Sequence, residues 1–126
     1  MLRGVVLDGD EARIVLRLRG CHGATEEVEA VIDTGFTDEM TAESAMIDRL
    51  DLTYRHLGRY VLADGRVATA RIYQGEILWN AEWREVTVVQ TESDCLVGMR
   101  LLRGHRLTID VIDGGDITVE ALPSAS

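Results

Sequence analysis

Cysteine, proline and large aromatic residues are all scarce in this 126-residue chain: two cysteines, one proline, one phenylalanine, two tryptophans and three tyrosines. Cys21 and Cys95 are too few for a disulfide scaffold, so free thiols are expected, with Cys95 acting as a small buried hydrophobe. No apolar run approaches the roughly 20 residues that a membrane-crossing helix needs. Stretches such as Gly4-Val5-Val6-Leu7 fall far short. Positive charge is also in deficit. Thirteen Lys+Arg against twenty-two Asp+Glu leave a net charge of −9 and a pI near 4.7. That balance argues against nucleic acid and against an anionic membrane as partners, since both require a positive footprint. Arg3 is followed by four apolar or small residues and then Asp8, Asp10 and Glu11, which is not a signal-peptide pattern. The expected location is the cytoplasm. Repeats, linkers and low-complexity stretches are lacking too, so one domain is expected over residues 1–122, with a short polar tail over 123–126.

What the chain does have is 46% hydrophobic residues and a mean hydropathy of +0.01, enough to order a core. The dominant pattern is alternation. In Arg13-Ile14-Val15-Leu16-Arg17-Leu18-Arg19 the large aliphatics Ile14, Leu16 and Leu18 share one face, as in a half-buried antiparallel strand. With Val5-Val6-Leu7 and the turn Asp8-Gly9-Asp10-Glu11 it reads as a hairpin. Further strands are predicted at Glu26–Asp33, Tyr60–Leu62, Val67–Leu78, Trp83–Gln90, Arg106–Ile112 and Ile117–Leu122. Asp64-Gly65, Asn80-Ala81 and Asp113-Gly114-Gly115 supply turns between them. One helix is expected from Ala42 to Leu50, with Ala42, Ala45, Met46 and Leu50 on its buried face and Thr41 as N-cap. A second helical turn is expected after Gly98, over Met99–Arg103. The fold class is therefore all-β, about eight short strands in barrel-like or Greek-key order.

Val31-Ile32-Asp33-Thr34-Gly35-Phe36 is the sharpest chemical feature. An apolar strand runs directly into Asp-Thr-Gly, which puts a carboxylate at a strand end where the backbone turns. Thr34 offers a hydroxyl to lock that turn, and Gly35 permits close approach or a positive φ. An ordinary strand-to-loop turn uses the same residue types. Further along, Cys95-Leu96-Val97-Gly98 leads into Met99-Arg100-Leu101-Leu102 and then His105-Arg106-Leu107-Thr108-Ile109-Asp110-Val111.

These two segments together resemble the retropepsin-like (clan AA) aspartic proteases, in particular small bacterial proteins with an Asp-Thr-Gly-Phe motif. Gly98 to Val111 is also similar to the retroviral-protease-like domain of certain ubiquitin-pathway proteins. The resemblance runs from about Leu16 to Leu122 and implies a retropepsin-like acid-protease barrel. It also implies an aspartic endopeptidase in which two aspartates share one proton across a catalytic water. One acts as general base towards the water and the other protonates the scissile carbonyl. With a single Asp-Thr-Gly, the implied enzyme is a homodimer in which each protomer supplies one Asp33. By the same resemblance Thr34 grips between the two active-site loops, while Leu96, Val97 and Gly98 lie beneath Asp33. Gly58–Ala68 matches the flap, whose backbone at Ala63, Asp64 and Gly65 would hydrogen-bond an extended peptide. A plain surface hairpin has the same sequence signature. Phe36 replaces the small or hydroxylic residue common after Asp-Thr-Gly and is read as core filler or as pocket lining. Asp38 and Glu39 add negative charge near the pair. The N-terminal strand and Ile117–Leu122 are the candidates for a dimer sheet, by analogy only.

No cofactor and no metal are expected. Side chains of neighbours such as Cys21 and His22 point apart on a strand or turn, and no clustered ligand pairs are visible. His105 is read as capping a turn, and Trp79 and Trp83 as hairpin packing. No Gly-rich phosphate loop precedes a helix. The competing readings are a catalytically silent dimeric peptide-binding or scaffold domain of the same fold, and a monomeric β-barrel in which Asp-Thr-Gly is only a turn.

Overall fold

The computed structural model describes residues 1–123, so the predicted tail, apart from Pro123, lies outside the described residues. The strands are β1 (Leu2–Leu7), β2 (Glu11–Arg19), β3 (Thr25–Ile32), β4 (Met40–Glu43), β5 (Thr53–Val61) and β6 (Val67–Trp79). They continue with β7 (Glu82–Thr91), β8 (Leu96–Val97), β9 (His105–Ile109) and β10 (Asp116–Ala121). Two helices interrupt them, α1 (Ser44–Leu50) and α2 (Met99–Leu102). The all-β expectation holds, with ten strands among the described residues rather than eight.

The strands form one sheet in the order β5-β6-β7-β4-β8-β3-β2-β1-β10-β9, and β6 also pairs with β2. That extra ladder joins Arg17, Leu18 and Arg19 to Leu78, Ile77 and Glu76, and it closes six strands into a barrel. The inward face of β2 is the predicted one: Ile14, Leu16 and Leu18 are buried. They meet Val28, Ala30 and Ile32 of β3, Ile77 of β6, Val86 and Val88 of β7, and Val97 of β8. On the outer face, Arg13 pairs with Glu11 and Glu29, and Arg17 with Glu27. These exposed pairs contribute little; the buried aliphatic face holds the barrel.

Three expectations are corrected. The helix starts at Ser44, because Met40–Glu43 is drawn into the barrel as a strand parallel to β7, with Met40 opposite Val88. Thr41 is therefore no N-cap, and Glu43 stands at that position without a side-chain cap. Thr41 is buried, its hydroxyl donating to the Asp94 carbonyl (3.2 Å) and accepting from the Leu96 N–H (2.8 Å). The buried face of α1 consequently carries Ile47 and Leu50, while Ala45 is exposed. Third, β9 ends at Ile109, since Asp110–Gly115 folds into a loop held by Ile112 N–H to Asp110 O and Gly115 N–H to Ile112 O (both 2.9 Å). The two strands expected by analogy to form a dimer sheet are interior in the protomer. β1 lies between β2 and β10, and β10 lies between β1 and β9.

Strand β6 belongs to two structures. From Ile72 onward it pairs with β7, whereas Val67 to Arg71 pairs only with β5. The hairpin of residues 57–71 thus projects past the sheet. Its turn is closed by Leu62 N–H to Arg66 O (2.8 Å) and Gly65 N–H to Leu62 O (2.9 Å), with Gly65 at φ 86°. That left-handed geometry suits glycine.

Candidate active site

Asp33 follows the last residue of β3 and is half-buried. β3 is held there by a parallel ladder to β8, with Val31 opposite Leu96 and Ile32 opposite Val97. Backbone hydrogen bonds from Val31 N–H to Cys95 O (2.8 Å) and from Asp33 N–H to Val97 O (2.9 Å) extend it to the carboxylate residue itself. The structure therefore brings Leu96 and Val97 alongside the Asp33 strand end. The turn is locked by Asp33 rather than by Thr34. The Asp33 Oδ1 accepts the Gly35 N–H (2.9 Å), and the Asp33 carbonyl accepts the Phe36 N–H (3.1 Å). The Thr34 side chain is exposed, beside a cleft of about 210 Å³ also lined by Val31, Ile109 and Val111. Gly35 serves by close approach: a Cβ there would stand 3.2 Å from Asp33 Oδ1.

The loop closes on Gly98. Gly98 N–H donates to Glu39 O (2.9 Å) and Met99 N–H to Phe36 O (2.8 Å). The half-buried Phe36 ring lies over Gly98 so closely that a Cβ there would meet Phe36 Cδ2 at 2.6 Å. Phe36 thus packs between the Asp-Thr-Gly turn and the start of α2.

Both acidic neighbours of the loop are countered. Glu39, with a side chain only 13% exposed, accepts from Arg84 (3.2 Å) and from the Thr87 N–H (2.8 Å). Asp38 faces Arg100 at 4.0 Å and lies near the Tyr60 hydroxyl. Burial, followed by the nearby Asp38 charge, pushes the Tyr60 hydroxyl up to about 12. Tyr60 sits on the β5 arm of the projecting hairpin, so it links that hairpin to the Asp33 loop. Sequence reasoning missed it, because nothing local pairs a strand tyrosine with a carboxylate 22 positions earlier.

Ala63, Asp64 and Gly65 form the exposed hairpin tip, away from the Asp33 turn in the chain's pairing scheme. Asp64 is engaged locally, accepting from the Arg66 N–H (3.0 Å) and the Arg66 guanidinium (2.6 Å). A separate cleft of about 360 Å³ lies against β5–β7, between Arg55, His56, Tyr73, Glu39 and Glu85. The remaining sequence candidates are structural. Trp79 Nε1–H donates to His105 Nε2 (3.0 Å), whose Nδ1 lies 3.0 Å from Arg103 O, and Trp83 is covered by the Arg19 guanidinium at 4.0 Å. Cys21 and His22 do not point apart as expected: both reach Asp51.

An aspartate at a strand end, cross-braced by a parallel two-residue strand in a closed six-stranded barrel, belongs to a retropepsin-like fold. The chain is similar to a solved structure described as a retropepsin-like aspartic protease from Rickettsia conorii. The two share 16% identity over 96% of this chain and 90% of that one, with a TM-score of 0.60. No protein-family model matches the chain, and no curated protein matches it. At that identity the likeness establishes the fold and leaves the chemistry to the residues.

Proposed function

We propose that the chain is an aspartic endopeptidase that acts as a homodimer, with one Asp33 from each protomer. The observation that carries this reading is the fixed Asp33 carboxylate. Its Oδ1 is held by the Gly35 N–H and its backbone by Val97, within a retropepsin-like fold. Across a two-fold axis, two such carboxylates address one water. The ionised one takes a proton from the water as its oxygen attacks the scissile carbonyl carbon. The protonated one donates to the carbonyl oxygen, giving a tetrahedral diol. Collapse of the diol breaks the C–N bond: the proton held by the first carboxylate passes to the leaving nitrogen, while the second takes back a diol hydroxyl proton as the C=O re-forms. No metal or organic cofactor enters.

Exposed Thr34 is positioned to grip the opposite loop. The hairpin tip at Ala63, Asp64 and Gly65 supplies backbone groups to an extended peptide, as in strand addition. Phe36 offers no hydrogen bond to Asp33, and its packing on Gly98 supports the loop from beneath. Arg84 against Glu39 and Arg100 facing Asp38 offset the negative charge beside the site.

The test is cleavage of a diverse peptide library by wild type and Asp33→Asn from acid to neutral pH, with sedimentation run at the same concentrations. Cleavage by a dimer that disappears in Asp33→Asn supports the reading, since asparagine keeps the shape and cannot exchange the proton. Equal cleavage by both removes Asp33 from the chemistry. A dimer that cleaves nothing overturns the peptidase and leaves a silent peptide-binding or scaffold domain. A monomer at every concentration overturns the shared site.

A further inference from the structure

The turn after β2 and the end of α1 meet in a corner separate from the Asp33 loop. Gly20 is pressed on the helix end so tightly that a Cβ there would lie 1.6 Å from Leu50 O. The chain then reverses within five residues, with Gly20 N–H donating to Ala24 O (2.9 Å), Gly23 N–H donating to Gly20 O (3.1 Å), and Gly23 at φ 85°. This reversal aims two consecutive side chains at one acceptor. His22 Nε2 lies 2.7 Å from Asp51 Oδ2, and Cys21 Sγ lies 3.7 Å from the same oxygen. Asp51 caps α1 in the left-handed region, φ 53° and ψ 55°, and its backbone carbonyl also lies 3.0 Å from Cys21 Sγ. One ligand atom from each residue lies within 4.8 Å of the others, and all three residues are exposed.

We propose that Cys21, His22 and Asp51 form a three-ligand zinc site whose fourth position is open. A tetrahedral zinc with bonds of about 2.0–2.3 Å places its ligand atoms roughly 3.4–3.6 Å apart. The sulfur-to-oxygen separation already matches that edge. The imidazole-to-carboxylate pair stands at hydrogen-bond distance and opens by less than an ångström when a metal takes the proton's place. Thiolate and carboxylate together balance the dication, and binding releases the Cys21 thiol proton to solvent. Sulfur and imidazole nitrogen select zinc over magnesium and calcium, which require oxygen cages. The bound ion ties two segments that are thirty residues apart. Its free position faces solvent, open to water or to a donor from another molecule.

The experiment is metal titration of the reduced full-length chain in the Asp33→Asn background, so that the Asp33 carboxylates do not contribute. Cobalt(II) is the spectroscopic probe and zinc the competitor. One equivalent should give tetrahedral d–d bands and a sulfur-to-cobalt charge-transfer band that zinc abolishes. The charge-transfer band should vanish in Cys21→Ser and persist in Cys95→Ala. His22→Gln and Asp51→Asn should each weaken zinc about tenfold or more, the least that loss of even a ligand's supporting partner usually costs. Zinc should also slow alkylation of Cys21 in the unmodified chain. Asparagine tolerates the left-handed position at 51, and thermal melts without metal verify that each variant folds. The proposal is overturned by absence of the charge-transfer band up to millimolar cobalt. It is equally overturned by a band that survives Cys21→Ser, or by zinc affinity unchanged in both His22→Gln and Asp51→Asn.

Discussion

Replacing Gly98 by alanine tests how the Asp33 loop is held. Gly98 adopts φ −104° and ψ 178°, extended backbone that alanine accepts, so the substitution acts by crowding alone. The added Cβ would stand 2.2 Å from Asp38 O, 2.6 Å from Phe36 Cδ2 and 2.7 Å from Phe36 O. Ordinary contact begins near 3.4 Å, so the 36–38 backbone must retreat by about 1 Å. A shift of that size takes the Met99 N–H···O Phe36 bond (2.8 Å) out of hydrogen-bond range and stretches Gly98 N–H···O Glu39 (2.9 Å). Two hydrogen bonds at about 1 kcal/mol each, with overpacking strain of about 1–3 kcal/mol, give a loss of roughly 3–5 kcal/mol. Urea unfolding should show a lower midpoint at unchanged m-value. Hydrogen exchange should accelerate first at the amides of Asp33, Gly98 and Met99. Gly104→Ala is the control: nothing lies within 4 Å of the new Cβ, but φ is +81°, so only the left-handed penalty of about 1–2 kcal/mol applies. Adding Phe36→Leu removes the ring contact and leaves both carbonyl oxygens in place, so it should recover less than half of the loss. If Gly98→Ala unfolds within about 0.5 kcal/mol of wild type, the loop is not braced in the way argued.

Thr41→Val removes the buried hydroxyl that serves both Asp94 O and the Leu96 N–H, and both backbone groups lose that partner. It should cost about 1–2 kcal/mol in urea unfolding, with Thr41→Ser recovering most of it. Burial, then the Asp94 and Glu43 charges, pushes the Cys95 thiol up to about 12, so the folded chain keeps a proton that the unfolded chain releases near pH 9. The stabilisation is complete below pH 9 and declines by about 1.4 kcal/mol per pH unit as pH rises towards 12. Unfolding at pH 8.5, 9.5 and 10.5 should show this slope, reduced in Cys95→Ala. In native protein at pH 8, a thiol reagent should label Cys21 and spare Cys95, as mass spectrometry will read. Tyr60→Phe removes the partly buried hydroxyl beside Asp38. It should speed amide exchange in residues 57–71 several-fold while the amides of β2 and β3 keep their rates.

The parts of the fold legible in the sequence are those whose signal is local. Ile14, Leu16 and Leu18 alternate within one strand, Asp64-Gly65 marks one turn, and Asp33 stands where an apolar run stops. β4 and β8 were not legible because four and two residues are too short for a period to register, and their partners in β7 and β3 lie far along the chain. Thr41 misled for the same reason. Its position before a helical pattern suggests a cap, and only the long-range ladder to β7 reveals a barrel strand. At the candidate site the Asp33 turn is readable, but the sequence offers the Thr34 hydroxyl as its lock, whereas in the fold the Asp33 carboxylate accepts the Gly35 N–H. The Tyr60–Asp38 link and the meeting of Cys21, His22 and Asp51 are products of tertiary folding, invisible to spacing.

Strand β6 acts as a lever. Its barrel half is clamped between β7 and β2, while the five residues from Val67 to Arg71 are tied to β5 alone and form an arm of about 17 Å. Pivoting that arm by about 15° at Ile72 moves its end roughly 4–5 Å, close to the spacing between neighbouring strands. Such a pivot displaces the arm's end without breaking a single rung between β6 and β7.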